Sequence, residues 1–172
     1  MVRRVESCRH PTIAAVQGAA IAGGCELALH CDLRVVADNA QFAMPLARLG
    51  IVLPLALTQK LVEIVGPAFT RQILFTARPV TAQRAFAIGM VHDLVPLGEL
   101  EGASMALAKT IAANAPLSLI GMKATIQRTM SLRESISSDD LTDLVLRARD
   151  SADAQEGVRA QLERRLPVFR GE

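Results

Sequence analysis

The stretch Gly18-Ala-Ala-Ile-Ala-Gly-Gly-Cys-Glu-Leu27 combines residue types able to do chemistry. Gly23 and Gly24 lack a Cβ, so a ligand can approach the backbone closely. A helix beginning there presents free N–H groups and a positive dipole end, which favour an oxyanion or a phosphate. Glu26 falls in the first turn of that helix. A backbone donor beside a carboxylate suits proton transfer next to a polarised carbonyl. A tight turn followed by a glutamate that complements the helix dipole accounts for the same residues, and both readings stand at this point. The stretch is no P-loop, because the Lys-Ser/Thr ending is absent, and it lacks the glycine spacing of a dinucleotide fold.

Other sites for chemistry are poorer. Ser7 and Ser104 have no flanking elbow glycines. His10 precedes Pro11 in a connection and His92 lies in a short strand, so both read as structural or exposed. Three cysteines, an odd number, argue against a disulfide framework and fit a reducing, cytoplasmic setting. His30 adjoins Cys31, but no second cluster exists at ligand spacing, so no metal is expected. The basic run from Arg159 to Arg165 reads either as a solvated helix face or as a phosphate contact.

The surrounding elements are legible from pattern. Residues 12–17 form a short apolar run closed by Gly18, a buried strand. Gly23-Gly24 opens a helix to Cys31, Leu33–Ala37 is a second strand, and residues 41–44 are a third. This strand–turn–helix–strand order is an α/β signature. From Pro54 the pattern turns helical. Leu57, Leu61 and Ile64 share a face, Gly66-Pro67 breaks the run, and Pro67 begins the next helix. Thr81 is a predicted N-cap for Ala82–Ile88, and residues 90–95 a predicted strand. Apolar faces then recur at Leu100, Ala103, Leu107 and Ile111; at Leu119, Met122, Ile126 and Met130; and at Leu141, Leu144, Val145 and Ala148. Asp153 and Glu156 resemble a capping box opening a last helix. The N-terminal residues read as heading into a strand. We therefore expect one domain, with an α/β core over 1–96 and a helical region over 97–172 whose faces also pack on a neighbour.

Composition bounds the function. The chain has 172 residues, 51% hydrophobic, with no Trp or Tyr and a net charge of +2. A disordered chain needs lower hydrophobicity or higher net charge. A nucleic-acid binder normally carries a strong basic excess and stacking aromatics. No stretch reaches the ~18 apolar residues of a membrane span, and no signal-peptide region is seen. The apolar excess for this size points to surface covered by a partner subunit.

A set of segments is more specific. Pro11-Thr-Ile-Ala-Ala-Val-Gln-Gly18, Ala22-Gly-Gly-Cys-Glu-Leu-Ala28, Cys31-Asp-Leu33 and Ala40-Gln-Phe-Ala43 are followed by Arg48-Leu-Gly-Ile51 and Leu74-Phe-Thr-Ala-Arg-Pro-Val-Thr-Ala82. Ala85-Phe-Ala-Ile-Gly-Met-Val91, Ser151-Ala-Asp-Ala-Gln-Glu-Gly157 and Glu163-Arg-Arg-Leu-Pro-Val-Phe169 complete the set. Together and in order they resemble the enoyl-CoA hydratase/isomerase (crotonase) family along essentially the whole chain.

The resemblance implies an α/β, crotonase-like spiral of β-β-α units with a C-terminal helical trimerisation region, hence a homotrimer or a dimer of trimers. It implies an acyl-CoA thioester as substrate and no separate cofactor, coenzyme A being part of the substrate. Gly23 matches the family's second oxyanion donor, and Glu26 the first of two glutamates that position water and move protons. Ala22, Gly24 and Leu46 fall among the substrate-binding positions. Arg164 aligns near a basic residue of the last helix that reaches CoA phosphate in some members.

Two departures matter. The match corresponds to roughly the C-terminal two-thirds of the family pattern. The remainder of that pattern carries the first strands, the other oxyanion donor and much of the loop that holds the adenine. One such donor is worth about 3–4 kcal/mol in the transition state. The hydratases' second glutamate falls at Leu46, and no Asp or Glu occurs from Asn39 through Val62. A single carboxylate still shuttles one proton between carbons, as an isomerase needs, and residues 75–89 resemble the decarboxylase branch. Three readings compete: an enzyme using Glu26 and Gly23, a diverged member that binds acyl-CoA or a partner subunit without catalysis, and a scaffold whose helices only oligomerise.

Overall fold

The computed structural model describes residues 2–131 and 139–171. In chain order the elements are α1 (Val2–Glu6), β1 (Ile13–Val16), β2 (Ala19–Ile21), α2 (Gly23–His30), β3 (Leu33–Ala37) and β4 (Gln41–Ala43). A 3-10 turn, Pro45–Leu49, leads to α3 (Leu55–Thr76), β5 (Val80–Thr81), α4 (Ala82–Ala87) and β6 (Asp93–Val95). The chain closes with α5 (Leu100–Ala112), α6 (Pro116–Ser131), α7 (Asp139–Arg149) and α8 (Ala152–Leu162). These residues fall into two compact units interleaved in sequence, the first holding 2–43 and 80–131, the second 44–79 and 139–171.

The first unit is the α/β part. One sheet has the order β1-β3-β6, all parallel, with Ile13 opposite Leu33 and Val35 opposite Asp93. The other has the order β2-β4-β5, with β4 parallel to β2 and antiparallel to β5. β1 reaches β2 through Gly18 at φ 62, and α2 follows, so strand, bend, strand and helix form one β-β-α unit. β3 and β4 repeat the strand pair. α5 covers the first sheet: Leu100, Ala103 and Leu107 pack with Val35, Ala37, Val95 and Ile13. The apolar runs of parallel strands thus find cover on the sheet face.

The second unit is helical. α3 is two stretches joined at Gly66, whose φ of 72 and ψ of 169 break the helix before Pro67, as the Gly-Pro pair predicts. Leu61, Val65 and Ile73 are its buried face. α8 lies against the 3-10 turn so closely that a Cβ on Gly157 would sit 2.6 Å from Leu49 Cα.

Three local expectations are corrected. Residues 2–6 form a helix, not the start of a strand. Val2 and Val5 share a helix face at spacing three, and the Gln127 side chain on α6 donates to Glu6 O. The last strand begins at Asp93 rather than Met90. The Met90 N–H turns back to Ala85 O and its carbonyl accepts from Arg34 Nε, so it is spent before the ladder starts. The cap of α8 is Ser151, whose Oγ accepts from Ala154 N at 3.0 Å, rather than the Asp153/Glu156 pair. Those carboxylates hold the chain beyond the helix: Asp153 accepts from the N–H groups of Arg170 and Gly171, and Glu156 from that of Val168. Thr81 caps α4 as predicted, its Oγ1 accepting from Arg84 N.

Candidate active site

The turn into α2 is built by backbone strain. Ala22 holds φ 48 and ψ −112, a region that costs a residue bearing a Cβ about 1–3 kcal/mol and persists only when its surroundings enforce it. β4 enforces it here, because the Ala22 N–H donates to Ala43 O at 2.8 Å. The Ala22 carbonyl accepts from Glu26 N at 2.9 Å and starts the helix. Ala22 has no side chain to cap it. Gly23 and Gly24, as the first helical residues, have no carbonyl four residues back within the helix to receive their N–H groups. Both are exposed, and a Cβ on either would meet nothing within 4 Å. The fold's packing therefore leaves open space beside both glycines.

Glu26 is half-buried in the first turn, one residue past Cys25, which is only 1% exposed. Burial, with the Glu26 charge adding to it, pushes the Cys25 thiol up to about 12. That thiol stays protonated at neutral pH and does not compete as a nucleophile. The His30 ring Nδ1 lies 2.7 Å from Glu26 O and satisfies the next turn of the helix.

Arg34 and Lys123 are buried charges that sequence patterning did not single out. Arg34 is 4% exposed, and its guanidinium donates to the carbonyls of Ala28, Leu29, Cys31 and Met90. It thereby satisfies the C-terminal end of α2, the favourable end for a cation. Its sequence signal was a lone charge inside the apolar strand Leu33–Ala37. His92 joins it: the ring Nδ1 accepts from Arg34 N, and burial followed by the Arg34 charge holds that imidazole below its usual range. Lys123, 7% exposed, donates to Asp32 at 2.6 Å and to His10 O at 3.1 Å. Asp32 also accepts from the N–H and the hydroxyl of Thr12, so α6 is tied to the loops at the start of β1 and β3.

Ala22, Gly23, Gly24 and Glu26 thus come together in the first unit. Leu46 belongs to the second, half-buried in the 3-10 turn. Arg164 also belongs to the second, exposed just past α8 at φ 54. Its neighbour Arg165 is engaged with Glu156 and Glu163, which supports the solvated-face reading for that residue. Ser7 and Ser104 lie outside the α2 turn. Among the described residues no three His, Cys, Asp or Glu side chains group as a metal site. No single helix among them is long and apolar enough to cross a membrane.

The first unit thus sets a strained, uncapped helix start with a carboxylate in its first turn on a β-β-α unit of an α/β fold. The family model described as enoyl-CoA hydratase/isomerase matches residues 1–172, and the chain belongs to that family. The chain is 40% identical over 128 residues to a short-chain-enoyl-CoA hydratase of Clostridium acetobutylicum, covering 74% of this chain and 49% of that protein. It is 37% identical over 175 residues to a crotonyl-CoA hydratase of Syntrophomonas wolfei, covering 97% of this chain and 64% of the relative. The crystal structure of a methylmalonyl-CoA decarboxylase matches with a TM-score of 0.91 at 31% identity, covering 99% of this chain and 68% of the other. The fold is crotonase-like, as the resemblance implied. The chain spans between about half and two-thirds of the length of the curated relatives cited here.

Proposed function

We propose that the chain acts on an acyl-CoA thioester through an enolate, with Glu26 as acid and base and the Gly23 N–H as an oxyanion donor. The observation that carries this reading is the uncapped start of α2 beside Glu26. A thioester oxygen accepting from Gly23 N–H draws electrons from the adjacent carbon. Glu26 takes the proton on that carbon, the C–H electrons move onto the thioester oxygen as an enolate, and the helix end faces the new charge. Reprotonation by Glu26 at the same or a conjugated carbon completes the cycle. Ala22 and Gly24 let the substrate approach the backbone; for Leu46 and Arg164, in the second unit, the resemblance to the family supplies the acyl-side and CoA-phosphate roles. Leu46 at the second glutamate's position disfavours orienting a water, so proton transfer or decarboxylation suits this site better than hydration.

The test follows exchange of the α-protons of butyryl-CoA in D2O by NMR. Wild type should exchange them, and Glu26→Gln should lower the rate by about 10²–10⁴-fold. Equal rates for the two proteins overturn the reading. Leu46 also favours a second one, in which the chain retains acyl-CoA without turnover. Binding measured by calorimetry with no exchange would select it. The exposed apolar residues Met105, Met122, Ile126 and Leu144 support a homotrimer or dimer of trimers, which sedimentation velocity would test. Three free cysteines suit a cytoplasmic setting.

A further inference from the structure

We propose that His92 is a positioning residue for the α2 site and makes it pH-sensitive: its neutral ring holds Arg34, Arg34 holds the C-terminal end of α2, and protonation of the ring releases that hold. This rests on the reading that Gly23 and Glu26, toward the other end of α2, act on the thioester. The geometry starts from one main-chain group. In β3, Leu33 turns toward β1, its N–H donating to Thr12 O. Successive residues of a strand turn their main-chain groups to opposite neighbours, so Arg34 turns toward β6. The ladder to β6 begins only one residue later, at Val35 opposite Asp93. The His92 ring stands in for a strand carbonyl at this point: its Nδ1 accepts from Arg34 N at 3.1 Å. His92 N donates to Arg34 O at 3.0 Å, which closes a reciprocal pair.

The buried side chain of the same arginine reaches the other way. Its Nε donates to Met90 O at 2.8 Å. Its Nη1 donates to the carbonyls of Ala28, Leu29 and Cys31 at 3.2, 3.4 and 2.6 Å. Ala28 and Leu29 lie in the last turn of α2, where helix carbonyls lack partners within the helix. Residues 90–92 thus grip Arg34 by main chain and side chain, and Arg34 grips the end of α2. Ala28 stands two residues past Glu26, so this hold acts within one turn of the carboxylate.

A neutral imidazole has one donor and one acceptor nitrogen, and an imidazolium has two donors. Nδ1, facing the Arg34 N–H, is the acceptor. Protonation sets N–H against N–H and puts a second cation beside a guanidinium that keeps its own charge. His92 is exposed at the surface, so solvent protons reach the ring. Among the described residues, the charged groups acting on it are Arg34 from β3 and Asp93 beside it on β6. Cys31 and Asp32, at the end of α2, act on the Arg34 guanidinium. Burial, then the Arg34 charge, hold the imidazole below its ordinary value of 6.5, against the pull of Asp93. A histidine lowered on folding holds its bond in full above 6.5. Below that value the opened form takes up a proton first, so opening becomes easier as pH falls, and the closed form itself protonates at a lower pH.

The test follows two amides of the full chain by NMR: Arg34, and Cys31, whose N–H closes α2 on Ala28 O. Protection is the exchange rate relative to the unstructured chain. In wild type it should fall about threefold at both amides from about pH 7.5 to about pH 5.5. His92→Asn sets an amide oxygen in place of Nδ1 and does not titrate, so its protection should be retained and flat with pH. His92→Leu offers no acceptor and should lower protection about tenfold already at about pH 7.5. If the leucine variant does not fold, wild type against His92→Asn still decides. The rate of α-proton exchange on butyryl-CoA supplies the second readout, as the ratio of His92→Asn to wild type, in which the titration of every other group cancels. It should rise about threefold over the same range. Wild-type protection that is flat with pH, or that falls equally in His92→Asn, overturns the proposal. So does a flat rate ratio. Protection that behaves as expected in a chain exchanging no α-protons would fail the reading of Glu26 while upholding the hold of His92 and Arg34 on α2.

Discussion

Two helices of this molecule use glycine and their N-termini in opposite ways. In α8 Gly157 is demanded by packing, since its Cβ would stand 2.6–2.9 Å from the backbone of Leu49 and Arg48. The facing Gly50 is demanded likewise, with Ala154 N at 2.7 Å and φ at +65. The same helix start is capped by Ser151, and its acidic residues are occupied by the chain that follows. In α2 a Cβ on Gly23 or Gly24 meets nothing within 4 Å, and no side chain caps the helix. α8 spends its glycine and its cap on the fold. α2 spends neither on the fold, although Ala22 is held there in a costly conformation. Under the function proposed above, the open glycines at this strained turn are the place for a substrate.

The sharpest way to break the contrast is to put one methyl group on each helix. Gly157→Ala should destabilise the chain by about 3 kcal/mol, because the facing atoms are backbone and cannot rotate away. Urea unfolding reads this directly, and an unchanged midpoint would remove the packing argument. Gly24→Ala should do the reverse. It should stabilise by about 0.5–1 kcal/mol through lower chain entropy, while slowing α-proton exchange on butyryl-CoA by about 10²-fold through a displaced thioester. A variant no more stable than wild type, or equally active, would place Gly24 among the structural glycines.

The contrast also marks how far the sequence could be read. Strand Leu33–Ala37, the break at Gly66-Pro67 and the Thr81 cap were legible because local chemistry decides each one. β2 was not legible, because Ala-Ala-Ile has no strand periodicity and pairs only when β4 lies beside it. The helix Val2–Glu6 is held partly from afar, its Glu6 carbonyl accepting from Gln127, 121 residues away. Glu26, Gly23 and Gly24 were legible as a group, since they are adjacent in sequence. Leu46 and Arg164 were named only through the resemblance. The strain at Ala22 was hidden, because alanine carries no mark of a positive φ. Arg34 showed itself only as a charge in an apolar strand, and its four carbonyl partners needed the fold.

The caps supply a smaller test. Ser151→Ala should cost about 1 kcal/mol, as the loss of a side-chain N-cap does elsewhere, measured by thermal unfolding. α2 has no such side chain to lose, and Ala22→Gly should leave its start in place by relieving strain rather than removing a bond. A Ser151→Ala variant as stable as wild type would mean that Asp153 and Glu156 hold that helix end by themselves.

The finest distinction is electrical. The Arg165 hydrogen bonds, then the Val168 N–H, hold the Glu156 carboxyl down to about 2. A carboxylate depressed on folding adds stability that is complete above its unfolded value of 4.5 and is lost as pH falls through about 2. The stabilisation should therefore decline between about pH 4.5 and pH 2, while the clasp of Glu156 on Arg165 and Val168 in the folded chain opens only as pH falls to about 2. Carboxyl carbon NMR of Glu156 across that range measures it, with Arg165→Met as the comparison. The variant's carboxyl should titrate closer to 4.5, since the first of its two supports is gone and the second remains. Identical titration curves would mean that Arg165 does not hold Glu156 in solution. The charged end of α8 would then be as open as the start of α2, and the difference between the two helices would rest on glycine packing alone.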